Sequence, residues 1–267
     1  MARRHRGSGV LLRAHKVHYT QGVHPHFHRV QHAVLTFYGP RLNLLDFGSF
    51  AKLKLRVLDL SCNNGSLFFD NLSKALPLFN RLTRLKLRQT NFFGTNPESV
   101  IAALAQTNVR ELDLTGNPMG NTEISLHGLE LESLRLGNTM IGASTPLDGL
   151  LIPGLKSLDL SQNDLGSENG EPKLEALRLY LEKKSTTLCS LNLSYNMLSA
   201  QGDEVMERFV TTLGRLEASP EGGLKQLDLS YNDLGSKNGE PKLEALCPYL
   251  KKKEHDSFLF EYELQHA

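Results

Sequence analysis

Histidine is the residue whose clustering first suggests chemistry. Seven of the ten histidines precede residue 33, at positions 5, 15, 18, 24, 26, 28 and 32. His24-Pro-His-Phe-His28, with His32 four residues on, groups imidazoles of the kind that bind divalent metals. No Cys or carboxylate lies nearby in the sequence to complete a structural or catalytic set, so only adventitious affinity is expected, and no cofactor. The same stretch favours phosphate contacts, since residues 1–45 hold seven Arg/Lys and no acid. It lacks a recognisable nucleic-acid module, which leaves nucleic acid as the weaker expectation for a partner.

Other chemistry is absent from the motifs. There is no GxxxxGK[ST] phosphate loop, no GxSxG elbow and no HExxH helix, so the chain is expected not to be an enzyme. Cys62, Cys189 and Cys247 are too few and too scattered for a disulfide framework or a zinc site, and suit a reducing compartment. Asn71-Leu-Ser73 and Asn192-Leu-Ser194 match the glycosylation acceptor, but the Arg3-Arg4-His5-Arg6 start is followed by no apolar run that would read as a secretory signal. No stretch approaches the ~20 consecutive apolar residues of a membrane-spanning helix. The 267 residues are 40% hydrophobic and 22% charged, a balance that excludes a disordered chain.

What would position any functional side chain is a repeat. Leu-x-x-Leu-x-Leu-x-x-Asn recurs as LRVLDLSCN (55–63), LTRLKLRQT (82–90), VRELDLTGN (109–117) and LESLRLGNT (131–139). It continues as LKSLDLSQN (155–163), LCSLNLSYN (188–196) and LKQLDLSYN (224–232), at intervals of 27, 27, 22, 24, 33 and 36 residues. The Leu-x-Leu pair has the period of two that puts both side chains on one face of a short strand. Stacked repeats then form a parallel sheet with those leucines inside. The closing Asn (Asn63, Asn117, Asn163, Asn196, Asn232) can donate to and accept from backbone groups of adjacent turns. Thr90 and Thr139 replace it twice, and those turns are expected to be weaker.

Between strands, Asn96-Pro97-Glu98, Glu171-Pro172, Asp203-Glu204 and Glu240-Pro241 each open an apolar helical period. The shorter repeats within 109–154 show no such period and read as irregular connections. Residues 158–181 and 227–250 are identical at 20 of 24 positions, a duplication offset by 69 residues. The organisation expected is a basic, His-rich and poorly ordered arm (1–32), an N-terminal cap (33–54), seven repeats (55–250) and a C-terminal cap strand (251–267).

These motifs make 55–250 resemble the leucine-rich repeat family, and the long, variable repeats look like its ribonuclease-inhibitor-like class. The uneven repeat lengths are also similar to those of leucine-rich repeat effectors of intracellular bacterial pathogens such as Legionella. The resemblance implies an α/β solenoid with a concave parallel sheet, helices or irregular turns on the convex side, and a non-enzymatic function in binding another protein. With cysteines that suit a reducing compartment, a cytoplasmic setting is expected, or a host cell if the chain is an effector. A regulator of another enzyme, such as a small GTPase, is the alternative that this class suggests.

On such a sheet the fifth motif position faces outward and reads Asp59, Lys86, Asp113, Arg135, Asp159, Asn192, Asp228. The first five alternate in sign, as a self-satisfying ladder would; from Asp159 onward the face turns acidic. The eighth position carries Tyr195 and Tyr231 on adjacent strands, an aromatic platform of the type enriched at binding hot spots. Arg84, Lys86 and Arg88 form a second, basic patch. These nine residues, Asp159, Asn192, Asp228, Arg135, Tyr195, Tyr231, Arg84, Lys86 and Arg88, are the candidate protein-binding set. The partner's identity is not encoded, and a monomer is expected over an oligomer.

Overall fold

A computed structural model of the protein describes residues 10–14, 30–35, 47–63, 66–95, 97–120, 122–141, 146–167, 170–183, 187–217 and 224–234. The chain divides into two compact units, one formed by 1–117 with 128–130 and the other by 118–127 with 131–267.

In the first unit, β1 (Val10–Ala14), β2 (Val30–Leu35), β3 (Val57–Asp59), β4 (Arg84–Lys86) and β5 (Glu111–Asp113) pair in that order, all parallel. Leu58, Leu85 and Leu112 are direct partners and are buried. Helices α1 (Phe47–Ala51), α2 (Ser66–Ala75) and α3 (Pro97–Leu104) lie between the strands in sequence. Phe47 of α1 and Phe68 and Phe69 of α2 run ring to ring with Phe92 and Phe93, which precede α3, at 6.1, 4.2, 5.5 and 5.2 Å between centroids.

The second unit repeats the plan with β6 (Ser133–Arg135), β7 (Ser157–Asp159), β8 (Ser190–Asn192) and β9 (Gln226–Asp228). Leu134, Leu158, Leu191 and Leu227 form one in-register row. Helix α4 (Glu171–Glu182) buries Leu174, Leu177 and Leu181, and α5 (Asp203–Glu217) buries Met206, Phe209 and Leu213. Both start at the Pro or acidic residues that favour a first turn.

Along 122–126 and 146–152 the described residues form no helix. There Leu126 N donates to Gly149 O at 2.7 Å, and a Cβ on Gly149 would collide with Ile124 O. The chain passes itself too closely for a helix to intervene.

The start of the chain departs from the expected organisation. β1 and the first residues of β2 lie within 1–32, and the 32/33 boundary falls inside β2, whose Ala33 is fully buried. The expected C-terminal cap strand (251–267) and the helix after Glu240-Pro241 lie outside the described residues.

Each repeat is closed by its ninth residue. Asn196 Nδ2 donates to Leu193 O, Ser194 O and, in the preceding repeat, Leu160 O, at 3.0, 3.1 and 2.9 Å. Asn232 Oδ1 accepts from Asn196 N and Leu198 N, and Asn117 and Asn163 accept likewise from Thr90 and Phe92 and from Thr139 and Ile141. Thr90 and Thr139 keep only part of this pattern. A hydroxyl has one proton, and that of Thr90 is contested by Leu87 O at 2.8 Å and Asn117 Oδ1 at 3.2 Å. Thr139 is placed in the same way against Leu136 O and Asn163 Oδ1.

Lys173 is the one buried cation among the described residues, 3% exposed, with Nζ 3.2 Å from Ile141 O. Burial lowers its pKa from the usual lysine value, and the charge of Asp164 only partly opposes this.

Two outcomes follow from this packing. Asn196→Ala strands buried carbonyls and should cost about 3 kcal/mol in urea unfolding, while Asn196→Thr, which keeps one donor, should cost roughly half of that. For Lys173, the unfolded chain binds its proton more tightly than the folded one. The stability of the natural protein relative to Lys173→Met should therefore rise as pH climbs from the depressed folded value toward 10.5, read by chemical denaturation between pH 7 and 10.5.

Candidate functional site

The eighth motif position is built by the turn. All seven residues there have left-handed backbone: Cys62, Gln89, Gly116, Asn138, Gln162, Tyr195 and Tyr231, with φ between 51° and 72°. The strand must reverse there so that the following Asn or Thr points inward, and a left-handed residue makes that reversal. For a bulky side chain this conformation costs of order 1 kcal/mol. The same geometry turns the eighth side chain outward.

In the second unit the two tyrosines meet. Their rings stack at 4.1 Å between centroids with an 11° interplanar angle, and Tyr195 is 46% and Tyr231 39% exposed. The backbones are tied by Tyr195 N donating to Ser230 O at 3.0 Å. Met197, two residues beyond Tyr195, is also left-handed and exposed.

Asp159, Asn192 and Asp228 are successive cross-strand partners on β7, β8 and β9, so the structure does bring these candidates together. Each also has a local task that the sequence reading missed. Asp159 Oδ1 accepts from Ser161 N at 3.0 Å, Asn192 Oδ1 from Ser194 N at 2.9 Å, and Asp228 Oδ1 from Ser230 N at 3.0 Å. Asp59 and Asp113 do the same for Ser61 and Thr115. The recurrent Asp-Leu-Ser is thus a turn cap, in which a carboxylate or an amide serves equally as acceptor. Arg135 lies beside Asp159 on β6 and is exposed.

The basic patch of the first unit is largely spoken for. Arg84 makes a two-pronged contact with Glu111, Nε to Oε2 at 2.5 Å and Nη2 to Oε1 at 2.6 Å. Lys86 Nζ lies 3.6 Å from Asp59 Oδ2. Of the three, Arg88 alone is exposed with no ion pair among the described residues. Two of its three cations therefore brace neighbouring strands, each pair worth a few tenths of a kcal/mol to about 1.

Among the described residues no three His, Cys, Asp or Glu side chains converge as metal ligands, and no helix is long and apolar enough to cross a membrane. His24, His26 and His28 lie outside the described residues. Because asparagine tolerates left-handed backbone, Tyr195→Asn with Tyr231→Asn relieves strain while losing a ring stack worth about 0.5–1.5 kcal/mol. The double variant should unfold within about 1 kcal/mol of the natural protein in urea titrations; a much larger loss would make the tyrosines structural.

A family model agrees with this architecture. Residues 105–122, 154–171 and 224–238 match the family model described as Leucine Rich repeat. A solved structure from Caenorhabditis elegans, a tropomodulin C-terminal domain, is similar at 16% identity; the match covers 69% of this chain and 94% of that one, with a TM-score of 0.35. No curated protein matches the sequence. With its in-register leucine rows and closing asparagines, the chain is an α/β protein of leucine-rich repeat architecture.

Proposed function

We propose that the protein is a non-enzymatic interaction module that binds another protein on the sheet face of its second unit. The contact surface is Asp159, Asn192 and Asp228, with Tyr195 and Tyr231 along the adjoining turns. The observation that carries this reading is the tyrosine stack: two large rings, both exposed, on backbone that disfavours bulky residues. Nothing in the turn requires tyrosine, since Cys, Gln, Gly and Asn make the same turn elsewhere in the chain. Rigid amphipathic rings of this kind are what protein interfaces use as anchors.

The first unit supports the choice by contrast, because Arg84 and Lys86 spend their charge on Glu111 and Asp59. A finer form of the reading is that the partner is a host protein. Repeat lengths similar to those of bacterial effectors favour that form.

The test is affinity purification from cell extract with the intact chain and with Tyr195→Asn/Tyr231→Asn, each partner then being titrated as purified protein. The expected result is a partner whose affinity falls at least about tenfold in the variant, equivalent to the loss of one modest hot spot. Partners that bind both forms equally would place the interface elsewhere.

A further inference from the structure

We infer that this face takes an extended basic segment, in polyproline-type conformation, with cationic side chains three residues apart. The inference rests on the function just proposed and specifies the chemistry of its partner.

Charge comes first. The fifth-position row of β7, β8 and β9 reads Asp159, Asn192, Asp228. Each Asp uses Oδ1 on a turn amide, and neither has an ion-pair partner among the described residues. Each therefore keeps Oδ2 for an outside donor. Asp164 and Asp233 are exposed on the turns just beyond, so the charge extends past the sheet face. One cation, Arg135, borders this row as the cross-strand partner of Asp159, and the other cations near it lie off the row. Lys156 is held by Glu132 at 3.0 Å, and Lys225 sits three residues before Asp228, at the opposite end of its strand.

Spacing selects the conformation of the occupant. Asp159 and Asp228 are separated by one intervening strand, hence by about 9.6 Å across the sheet. A segment crossing the strands must place its cations at that distance on one side. A β-strand presents same-side residues about 6.6 or 13 Å apart, which fits poorly. Polyproline helix repeats every three residues, about 9.3 Å, which fits well. Tyr195, with its exposed ring, lies on the turn three residues past Asn192, which ends the strand between the two acids. Proline packed there would meet an aromatic surface. Arginine suits the flanking positions better than lysine, because guanidinium also stacks on aromatic rings.

The chain supplies its own control for the charge. Asn192 caps its turn as the aspartates do, accepting from both Ser194 N and Ser194 Oγ, at 2.9 and 2.8 Å. Asp159→Asn with Asp228→Asn should therefore keep the turns while deleting the acids.

The experiment is fluorescence anisotropy on the full chain with labelled proline-based peptides carrying Arg-Pro-Pro-Arg, Arg-Pro-Arg or Glu-Pro-Pro-Glu. The expected result is that Arg-Pro-Pro-Arg binds about tenfold or more tightly than either of the others and weakens as salt rises. Asp159→Asn/Asp228→Asn should remove that preference with an unchanged melting temperature, and Tyr195→Asn should weaken binding several-fold. Equal binding of the glutamate peptide, equal binding of the shorter spacing, or a preference that survives the aspartate substitutions would overturn the inference. A cellular partner that needs the tyrosines but is not displaced by the arginine peptide would also overturn it, while leaving the interaction module standing. A partner indifferent to the tyrosines would count against the module itself.

Discussion

A parallel strand three residues long has few ladder bonds to offer, so the stack depends on what happens just after it. The decisive group is the carboxamide or hydroxyl at the ninth motif position. It is buried in every described repeat, as Asn63, Thr90, Asn117, Thr139, Asn163, Asn196 and Asn232. There a polar side chain is tolerable only if its hydrogen bonds are met. Asn117, Asn163 and Asn232 meet them by donating to carbonyls of their own turn and of the preceding one, while accepting from the preceding turn's amides. Satisfying the side chain and joining the repeats are one event. The apolar eleventh position, Phe92, Met119, Ile141, Leu165, Leu198 and Leu234, is buried behind it.

That constraint also decides what is displayed. To bring the ninth residue inward the eighth must be left-handed, and its side chain then projects away from the core. Stability is indifferent to which residue occupies the place, within the conformational cost, and this freedom is what a binding surface needs. The fifth position behaves differently. An Asp or Asn there holds the amide two residues on, so the residue type is fixed locally while its charge remains available outward. Lys86 and Arg135 give up the cap. Lys86 joins a cross-strand ion pair instead. The sheet face thus mixes residues held for the turn with residues left open to a partner, and the second unit has more of the latter.

Much of this was legible because it is periodic. Spacing identified the inward leucines and the asparagine row, and proline or acidic residues ahead of an apolar period marked the starts of α3, α4 and α5. Helix α2 was missed: its buried Phe68, Phe69 and Leu72 follow no proline or acidic start that would mark it. Strands β1 and β2 lack the motif, and their pairing with β3 depends on tertiary contact rather than on local pattern. The left-handed eighth position was invisible because its occupants share no chemistry, ranging from Gly116 to Tyr231; only their common place before the ninth residue could have suggested it. The basic patch looked open because Glu111, the partner of Arg84, sits at the third motif position, which the reading of the fifth position passed over. Duplication of 158–181 at 227–250 was plain; in the first copy a Cβ on Gly166 would collide with Met197 O, so residues 163–166 pass tightly beneath the next turn.

The direct test of the turn as the organising element is native-state hydrogen exchange on Asn163→Ala. In the natural protein the amides of Thr139 and Ile141 donate to Asn163 Oδ1, both at 3.1 Å. The neighbouring ladder amides of Leu136 and Asn138 donate across to β7 and the turn that follows it. In the variant Thr139 and Ile141 should lose protection first and most, with Leu136 and Asn138 following. If Thr139 and Ile141 stay as protected as before, the leucine core holds the repeats without the buried carboxamide, and the turn is not the organising element.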